Sequence, residues 1–175
     1  SAAVQSMVRS LKQAEVTAHV CSTRTGSHSI VAGNASAQVS RLPVLRQWDF
    51  AWRLYRKVKE AASDCDVIHT HGLWVYPQLV AWRVARALKK PLVVSLHGML
   101  EPERLQISRI RKQCIWKLYA RRMLQDASLI LVTSEQEKAS VLKCGISAPI
   151  EVLPLGVSAP KLEDVAKETV GSERR

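Results

Sequence analysis

The chain has 175 residues, of which 47% are hydrophobic and 23% charged, as in one ordinary globular domain with a substantial core. No apolar run approaches the roughly 18 residues of a membrane span, and the first residues do not resemble a secretory signal, so we expect a cytoplasmic protein. The formal charge of +11 favours anionic partners such as nucleic acid, phosphorylated substrates or an acidic membrane surface. The four cysteines are widely spaced, which predicts free thiols rather than disulfides or a zinc site.

Helical and strand patterns alternate along the chain, and several boundaries carry recognisable caps. Ser134 followed by Glu137 forms a capping box, and Gly145 suits the end of that helix. In chain order the patterns predict a helix over 2–13, a strand over 15–21, a loop over 23–40, a short strand over 41–45, a helix over 48–62, a strand over 67–70, a helix over 77–88, a strand over 92–96, a basic helix over 108–125, a strand over 129–132, a helix over 135–144 and a strand over 150–153.

This order predicts an α/β fold, a Rossmann-like three-layer αβα domain with a mostly parallel sheet. A sheet of this kind usually opens on its central strand, whereas this chain opens on a helix. We therefore expect that the first strand is missing from the chain. The polar end over 158–175 is expected to be a linker or a frayed helix.

Two apolar, β-branched runs end abruptly in His-Gly, and they are the most informative part of the chain. The first run ends at His71 after His69, and the second ends at His97. Buried parallel strands read as continuous apolar runs, and open α/β sheets bind their ligands at the carboxyl ends of the strands. The imidazoles of His71 and His97 are therefore predicted to meet at one crevice.

His-x-His followed by a third histidine also occurs in zinc enzymes. Such a site needs further ligands later in the chain, and no histidine follows His97. We therefore expect neither a metal nor another cofactor.

Four motifs, in their order and spacing, resemble the amino-terminal half of a GT-B glycosyltransferase of the retaining family-four type. They are His-Thr-His-Gly at 69–72, His-Gly-Met-Leu-Glu-Pro at 97–102, Thr-Ser-Glu-Gln-Glu at 133–137 and Ile-Glu-Val-Leu-Pro-Leu-Gly-Val at 150–157. The resemblance implies an acceptor-side domain over 1–157. It also implies transfer of a hexosyl group from a nucleotide-sugar to a sugar or lipid-linked acceptor, with retention of configuration, as in polysaccharide biosynthesis.

The same resemblance implies roles for individual residues. His97 corresponds to the cleft histidine that touches the donor sugar, and it is the expected catalytic residue. The residues expected to bind substrate are His71, Gly72, Gly98, Glu101, Ser134 and Glu135. The opening strand with its glycine-rich loop and the carboxyl-terminal nucleotide-binding domain are absent from the chain, and Leu155 stands where the family usually has Asn. The resemblance therefore implies that the isolated chain is inactive.

The basic helix suggests a membrane or anion contact, because tryptophan and leucine lie among its cations. Peripheral association with the inner membrane face would suit a lipid-linked acceptor, although the apolar side chains are spread around the helix. The cations of this predicted contact are Arg109, Arg111, Lys112, Lys117, Arg121 and Arg122.

Two other functions remain open at this point. The chain could be a non-catalytic basic α/β module that binds nucleic acid or an anionic membrane, whereas the family resemblance predicts no specific nucleic-acid binding. It could also be a dinucleotide-dependent enzyme, although it has no G-x-G-x-x-G motif.

Overall fold

The computed structural model of the chain describes residues 2–23, 35–39 and 53–154. The elements in these ranges are α1 (Ala2–Gln13), β1 (His19–Thr23), β2 (Ala35–Val39), α2 (Leu54–Ala62), β3 (Ile68–His71), α3 (Tyr76–Leu88), β4 (Leu92–Ser95), α4 (Pro102–Gln106), α5 (Arg109–Ile115), a π-helical turn (Trp116–Ala120), α6 (Arg121–Gln125), β5 (Leu129–Val132), α7 (Glu135–Lys143) and β6 (Ile150–Val152).

The strands form two parallel groups. Strands β3, β4, β5 and β6 lie side by side in chain order, and β1 pairs with β2 in a separate two-stranded sheet. Each crossover in the four-stranded sheet contains at least one helix, which a parallel connection requires. The predicted α/β fold with a parallel sheet is confirmed.

Burial of apolar side chains on the four-stranded sheet and on the helices covering it forms the core. Val94 on β4 and Ile130 on β5 are fully buried, as are Ile115 and Met123 on the helical segment between these strands. Complete burial of one such side chain stabilises the fold by about 1.5–3 kcal/mol. The central strands are short and apolar because both of their faces lie against other parts of the protein.

The structure departs from the predicted elements in three places. Strand β2 lies inside the segment that was predicted to be a loop, because pairing with β1 stabilises an extended conformation that the Ser- and Ala-rich sequence does not itself favour. Helix α4 begins at Pro102, before the predicted basic helix. The basic helix itself is interrupted by the π-helical turn. The predicted strand over 41–45 and the tail over 158–175, like Leu155, lie outside the described residues.

The π-helical turn is held against the loop that follows β3. The hydroxyl of Tyr119 donates to the backbone oxygens of Leu73 and Val75, at 3.2 and 3.0 Å. Burial raises the pKa of this phenol, so it remains a donor. In the part of the chain that the structure describes, no helix is long and apolar enough to cross a bilayer.

Candidate active site

Three loops meet at the carboxyl edge of the four-stranded sheet. They follow β3, β4 and β5, which are neighbours in the sheet, and His71 on β3 is paired with Ser95 on β4. Because the strands are parallel, all three loops leave the sheet on the same side. The chain then turns sharply after His71 and again after Ser95, so the side chains at these points face one another.

The three histidines of the two motifs form a stack. The rings of His69 and His71 lie 4.4 Å apart between centroids, and those of His71 and His97 lie 5.3 Å apart. His71 Nδ1 and His97 Nε2 are 3.0 Å apart, so the protonated nitrogen of the pair donates a hydrogen bond to the other. His69 Nε2 is 2.8 Å from the hydroxyl oxygen of Ser95, with which it is hydrogen-bonded. The structure therefore brings His71 and His97 together, in the arrangement that the sequence predicted.

The imidazoles of His69 and His71 are neutral at physiological pH. Burial, together with the smaller effect of the neighbouring imidazoles, lowers the pKa of both His69 and His71 from 6.5 to about 4. A proton on either ring would lie beside two other rings without a carboxylate partner in the stack. The stack therefore provides hydrogen-bonding groups at the carboxyl edge of the sheet, and His69 and His71 add no positive charge there.

These lowered pKa values predict a specific loss of stability in acid. The imidazoles of His69 and His71 bind protons more tightly in the unfolded chain than in the folded one. The free energy of unfolding is therefore highest above pH 6.5, and it decreases as the pH falls towards 4. Allowing for the partial exposure of both rings, we expect a loss of about 3 kcal/mol for the pair. Urea unfolding at pH 7.5 and 4.5 measures it, and a double replacement of His69 and His71 by Asn should reduce the difference between the two pH values by about that amount.

The matched control for this experiment is His19→Asn. His19 is exposed on β1, far along the chain from the stack, and its replacement should leave the pH dependence of stability unchanged. Equal pH dependence in the wild type and the double variant would contradict the buried, neutral stack.

Two consecutive residues in the left-handed conformation turn the chain after β4. His97 has a φ of +54° and Gly98 a φ of +75°. Glycine adopts this conformation freely, whereas for histidine it costs about 1–2 kcal/mol. The surrounding structure must therefore hold His97 in place, and strain of this kind is concentrated at functional sites.

Glu137 is the group that holds this turn. Its side chain is fully buried, and its carboxylate accepts a hydrogen bond from Gly98 N at 2.5 Å. The other carboxylate oxygen accepts from Thr133 N at 2.8 Å and from the Thr133 hydroxyl at 3.0 Å. Sequence reasoning identified Glu137 only as part of a capping box. The backbone half of that box is present, because Glu137 N donates to the hydroxyl oxygen of Ser134 at 3.1 Å. The carboxylate binds Gly98 N in the turn after β4 instead of the Ser134 N–H.

The loop after β3 is also held by hydrogen bonds to neighbouring elements. Gly72, with a φ of +96°, donates its N–H to Ser95 O at 2.8 Å. This backbone angle requires glycine, and a Cβ added here would lie 3.1 Å from the terminal methyl carbon of Met99, which would have to shift slightly. Buried Gln78 on α3 donates to His71 O at 2.6 Å and was not identified from the sequence.

The remaining predicted substrate-binding residues lie around this centre in different environments. Ser134 is the half-buried N-cap of α7, and Glu135, the first residue of that helix, is exposed. Glu101 caps α4, and its carboxylate lies over Gly98, where an added Cβ would be 3.3 Å from Oε2. Glu101 therefore lies at the turn formed by His97 and Gly98, and Glu135 is exposed to solvent at the start of α7.

The six basic residues predicted to contact a membrane or an anion do not share one environment. Lys112 is buried to 9% exposure, and its ammonium donates to Arg104 O and lies 5.6 Å from the ring centroid of Trp74. Arg111 is half-buried, and the remaining four are exposed: Arg109, Lys117, Arg121 and Arg122. Ile107, Ile110 and Leu118 are also exposed on this segment, at 64%, 79% and 71%.

The described residues contain no cluster of three or more His, Cys, Asp or Glu side chains arranged to hold a metal ion. His71 and His97 are hydrogen-bonded to each other. The four cysteines are free thiols, as predicted.

Solved structures of HepE and of a sucrose-phosphate synthase share this fold. Sucrose-phosphate synthase from Thermosynechococcus elongatus matches 98% of this chain and 92% of its own chain, with a TM-score of 0.57 and 16% identity. HepE from Anabaena, in complex with UDP-glucose, matches 81% of this chain with a TM-score of 0.52 and 19% identity. HepE in complex with UDP and glucose matches 93%, with a TM-score of 0.52 and 18% identity.

The chain spans only 37% and 39% of the two HepE chains. A search among curated proteins finds no significant match. The family model that describes Glycosyltransferase Family 4 matches residues 2–159, which include all three loops of the site. The predicted resemblance is confirmed: this chain belongs to Glycosyltransferase Family 4.

Proposed function

We propose that the chain is the acceptor-side domain of a retaining glycosyltransferase, which transfers a hexosyl group from a nucleotide-sugar to an acceptor without a metal. Membership of the family supports glycosyl transfer, and the His71–His97 pair is the observation that supports a reaction at this edge of the sheet. The nucleotide would be bound by a second domain, and this chain alone would be inactive.

The chemistry of glycosyl transfer fits the charges of the site. The transition state carries positive charge on the sugar ring and increasing negative charge on the departing phosphate. An imidazolium beside the ring would oppose that positive charge, whereas the imidazoles of His69 and His71 are neutral above about pH 4. In this proposal His97 hydrogen-bonds the donor sugar near its reacting carbon, and His71 fixes the orientation and tautomer of His97.

In this proposal the other predicted residues contact the acceptor. Gly72 and Gly98 shape the two turns that would hold the substrate, because both adopt the left-handed conformation. Glu101 is near enough to the catalytic turn to accept a hydrogen bond from an acceptor hydroxyl. The amino end of α7, with its N-cap Ser134 and the exposed carboxylate of Glu135, provides further polar groups beside the turn.

We also propose that the enzyme works at the cytoplasmic face of a membrane, in the assembly of a polysaccharide or glycolipid. The formal charge of +11 and the exposed cations on α5 and α6 support attraction to an anionic surface. Each cation close to such a surface contributes about 1 kcal/mol.

The stereochemistry of the product tests the proposed reaction. The full-length protein is incubated with UDP-glucose, UDP-galactose and GDP-mannose in turn, with water as the acceptor, and NMR identifies the anomer that appears first. Retention predicts that an α-linked donor releases the α-anomer before it mutarotates. A β-anomer as first product, or no sugar release from any of these donors, would contradict the proposal.

A further inference from the structure

A groove of about 690 Å³ lies between helix α4, the basic helical segment and the loops that follow β3 and β4. Its apolar walls include Trp74 and Leu100, each of which follows a site histidine by three residues. Trp116 and Leu105 continue the wall, and the rings of Trp74 and Trp116 are 6.5 Å apart. The groove therefore begins at the same two loops that carry His71 and His97.

The direction of the groove follows from the topology. The helical segment from α5 to α6 leads from the carboxyl edge of the sheet back to the start of β5, so Arg109 lies towards the site and Lys117 lies away from it. Cys144, the C-cap of α7, also lines the groove and lies at the far edge, because α7 begins after β5 and must return to the start of β6. Arg109 and Lys117 are about 12 Å apart along the helix axis, at 1.5 Å per residue. The groove is long enough to hold an extended chain of that order.

The charges at the groove have one sign. Arg109, Lys112 and Lys117 line it together with the apolar side chains, and no acidic residue is among the described residues that do so. Trp74 is 92% buried, and its indole N–H has no acceptor among the described residues.

We propose that this groove binds the hydrocarbon chain of a lipid phosphate, which is the acceptor of the transfer reaction. The lipid phosphate would lie at the Arg109 end, beside the loops of the site, and the chain would extend along α5 over the Trp74 and Trp116 rings, which contact each other. This assignment rests on the proposed function, since it names the class of acceptor. It goes further by separating an intramolecular groove for one lipid chain from the exposed apolar side chains that could touch a bilayer surface.

Calorimetric titration of the full-length protein with single-chain amphiphiles, each below its micelle concentration, tests the groove. Each methylene moved from water to an apolar site contributes about fourfold in affinity, so dodecyl phosphate should bind at least about tenfold more tightly than octyl phosphate. Dodecyl maltoside, which has the same chain and a neutral headgroup, should bind at least about threefold more weakly than dodecyl phosphate, because charge-assisted hydrogen bonds are lost. Inorganic phosphate alone should show no saturable binding.

A matched pair of variants distinguishes the groove from a bilayer contact. Leu105 on α4 lines the groove and is half-buried, whereas Leu118 in the π-helical turn is 71% exposed and does not line it. Leu105→Ser should weaken dodecyl phosphate binding at least about tenfold, and Leu118→Ser should change it less than about twofold. The reverse pattern would overturn the proposal in favour of attachment through the exposed face.

Folding of each variant is checked by its thermal transition. If Leu105→Ser does not fold, Arg109→Glu provides a second test, because Arg109 is exposed and its replacement should abolish the preference for dodecyl phosphate over dodecyl maltoside. An unchanged preference would overturn the position assigned to the phosphate.

The two proposals fail in different ways. Sugar release from a nucleotide-sugar with water as acceptor requires no lipid. If that reaction retains configuration but dodecyl phosphate does not bind, only the lipid groove is wrong. If dodecyl phosphate binds with the predicted chain-length dependence but no sugar is released, the proposed transferase reaction is wrong and the groove remains.

Discussion

Replacement of His97 by alanine in the full-length protein should lower kcat by about 10²–10³-fold, the range expected when one polar group that stabilises a transition state is removed. The fold should be retained, because the imidazole is only half-buried and alanine introduces no buried charge. KM for the nucleotide-sugar should change much less than kcat, because in the proposed mechanism His97 acts on the sugar in the transition state. Initial rates of nucleoside diphosphate release, measured over a range of concentrations of whichever nucleotide-sugar the protein uses, give both constants.

His19 provides the matched control for this experiment, because it is an exposed imidazole on β1. His19→Ala should leave kcat within a factor of two of the wild type. His71→Ala should reduce kcat less than His97→Ala does, since His71 acts through its hydrogen bond to His97. A turnover for His97→Ala within a factor of two of the wild type would remove His97 from the mechanism.

The part of the site formed by strand ends could be predicted from sequence. Short apolar, β-branched runs bounded by turn residues are typical of buried parallel strands, and a strand that ends in His-Gly places its imidazole at the carboxyl edge of the sheet. The positions of His71 and His97 follow from these two rules, since β3 and β4 are neighbours. Because alternate side chains share one face of a strand, the stacking of His69 on His71 follows from the same geometry.

The contacts that hold the site could not be predicted in this way, because they join residues that are far apart in sequence. The carboxylate of Glu137 has two possible partners, the Ser134 N–H in a capping box and the backbone of the neighbouring loop. Only the packing of α7 against the turn after β4 decides in favour of Gly98 N. Strand β2 was missed for a related reason, since its extended backbone depends on pairing with β1. The sequence of the π-helical turn does not distinguish it from an ordinary α-helix. Its Tyr119 forms hydrogen bonds to the loop after β3, which only the folded structure reveals.

The hydrogen bonds of Glu137 and Gly72 join the loops that follow β3, β4 and β5 to one another. Glu137 connects the loop after β5 with Gly98, and Gly72 N connects the loop after β3 with Ser95 O. The left-handed conformation of His97 is therefore fixed from both neighbouring strands. A preorganised group of this kind contributes to catalysis without reorganisation during the reaction. The stability of the turn and the turnover number should consequently change together when Glu137 is altered.

Glu137→Ala should lower the free energy of unfolding by about 3 kcal/mol, because it leaves buried donors of Gly98 and Thr133 without an acceptor. Glu137→Gln should cost less, about 1–2 kcal/mol, since its single carbonyl oxygen can still accept from one of the two sides. Urea unfolding at pH 7.5 measures both losses. The matched control is Glu135→Gln on the exposed first turn of the same helix, which should change stability by no more than about 0.5 kcal/mol.

Turnover separates a positioning role for Glu137 from a purely structural one. Glu137→Gln remains folded at 25 °C in this account, yet it loosens the turn that holds His97, so kcat should fall at least about tenfold with little change in KM. A structural role alone would lower stability and leave kcat of the folded fraction at the wild-type value. If Glu137→Gln is as stable and as active as the wild type, then the buried carboxylate does not hold the catalytic turn, and the strain at His97 must be balanced by other contacts.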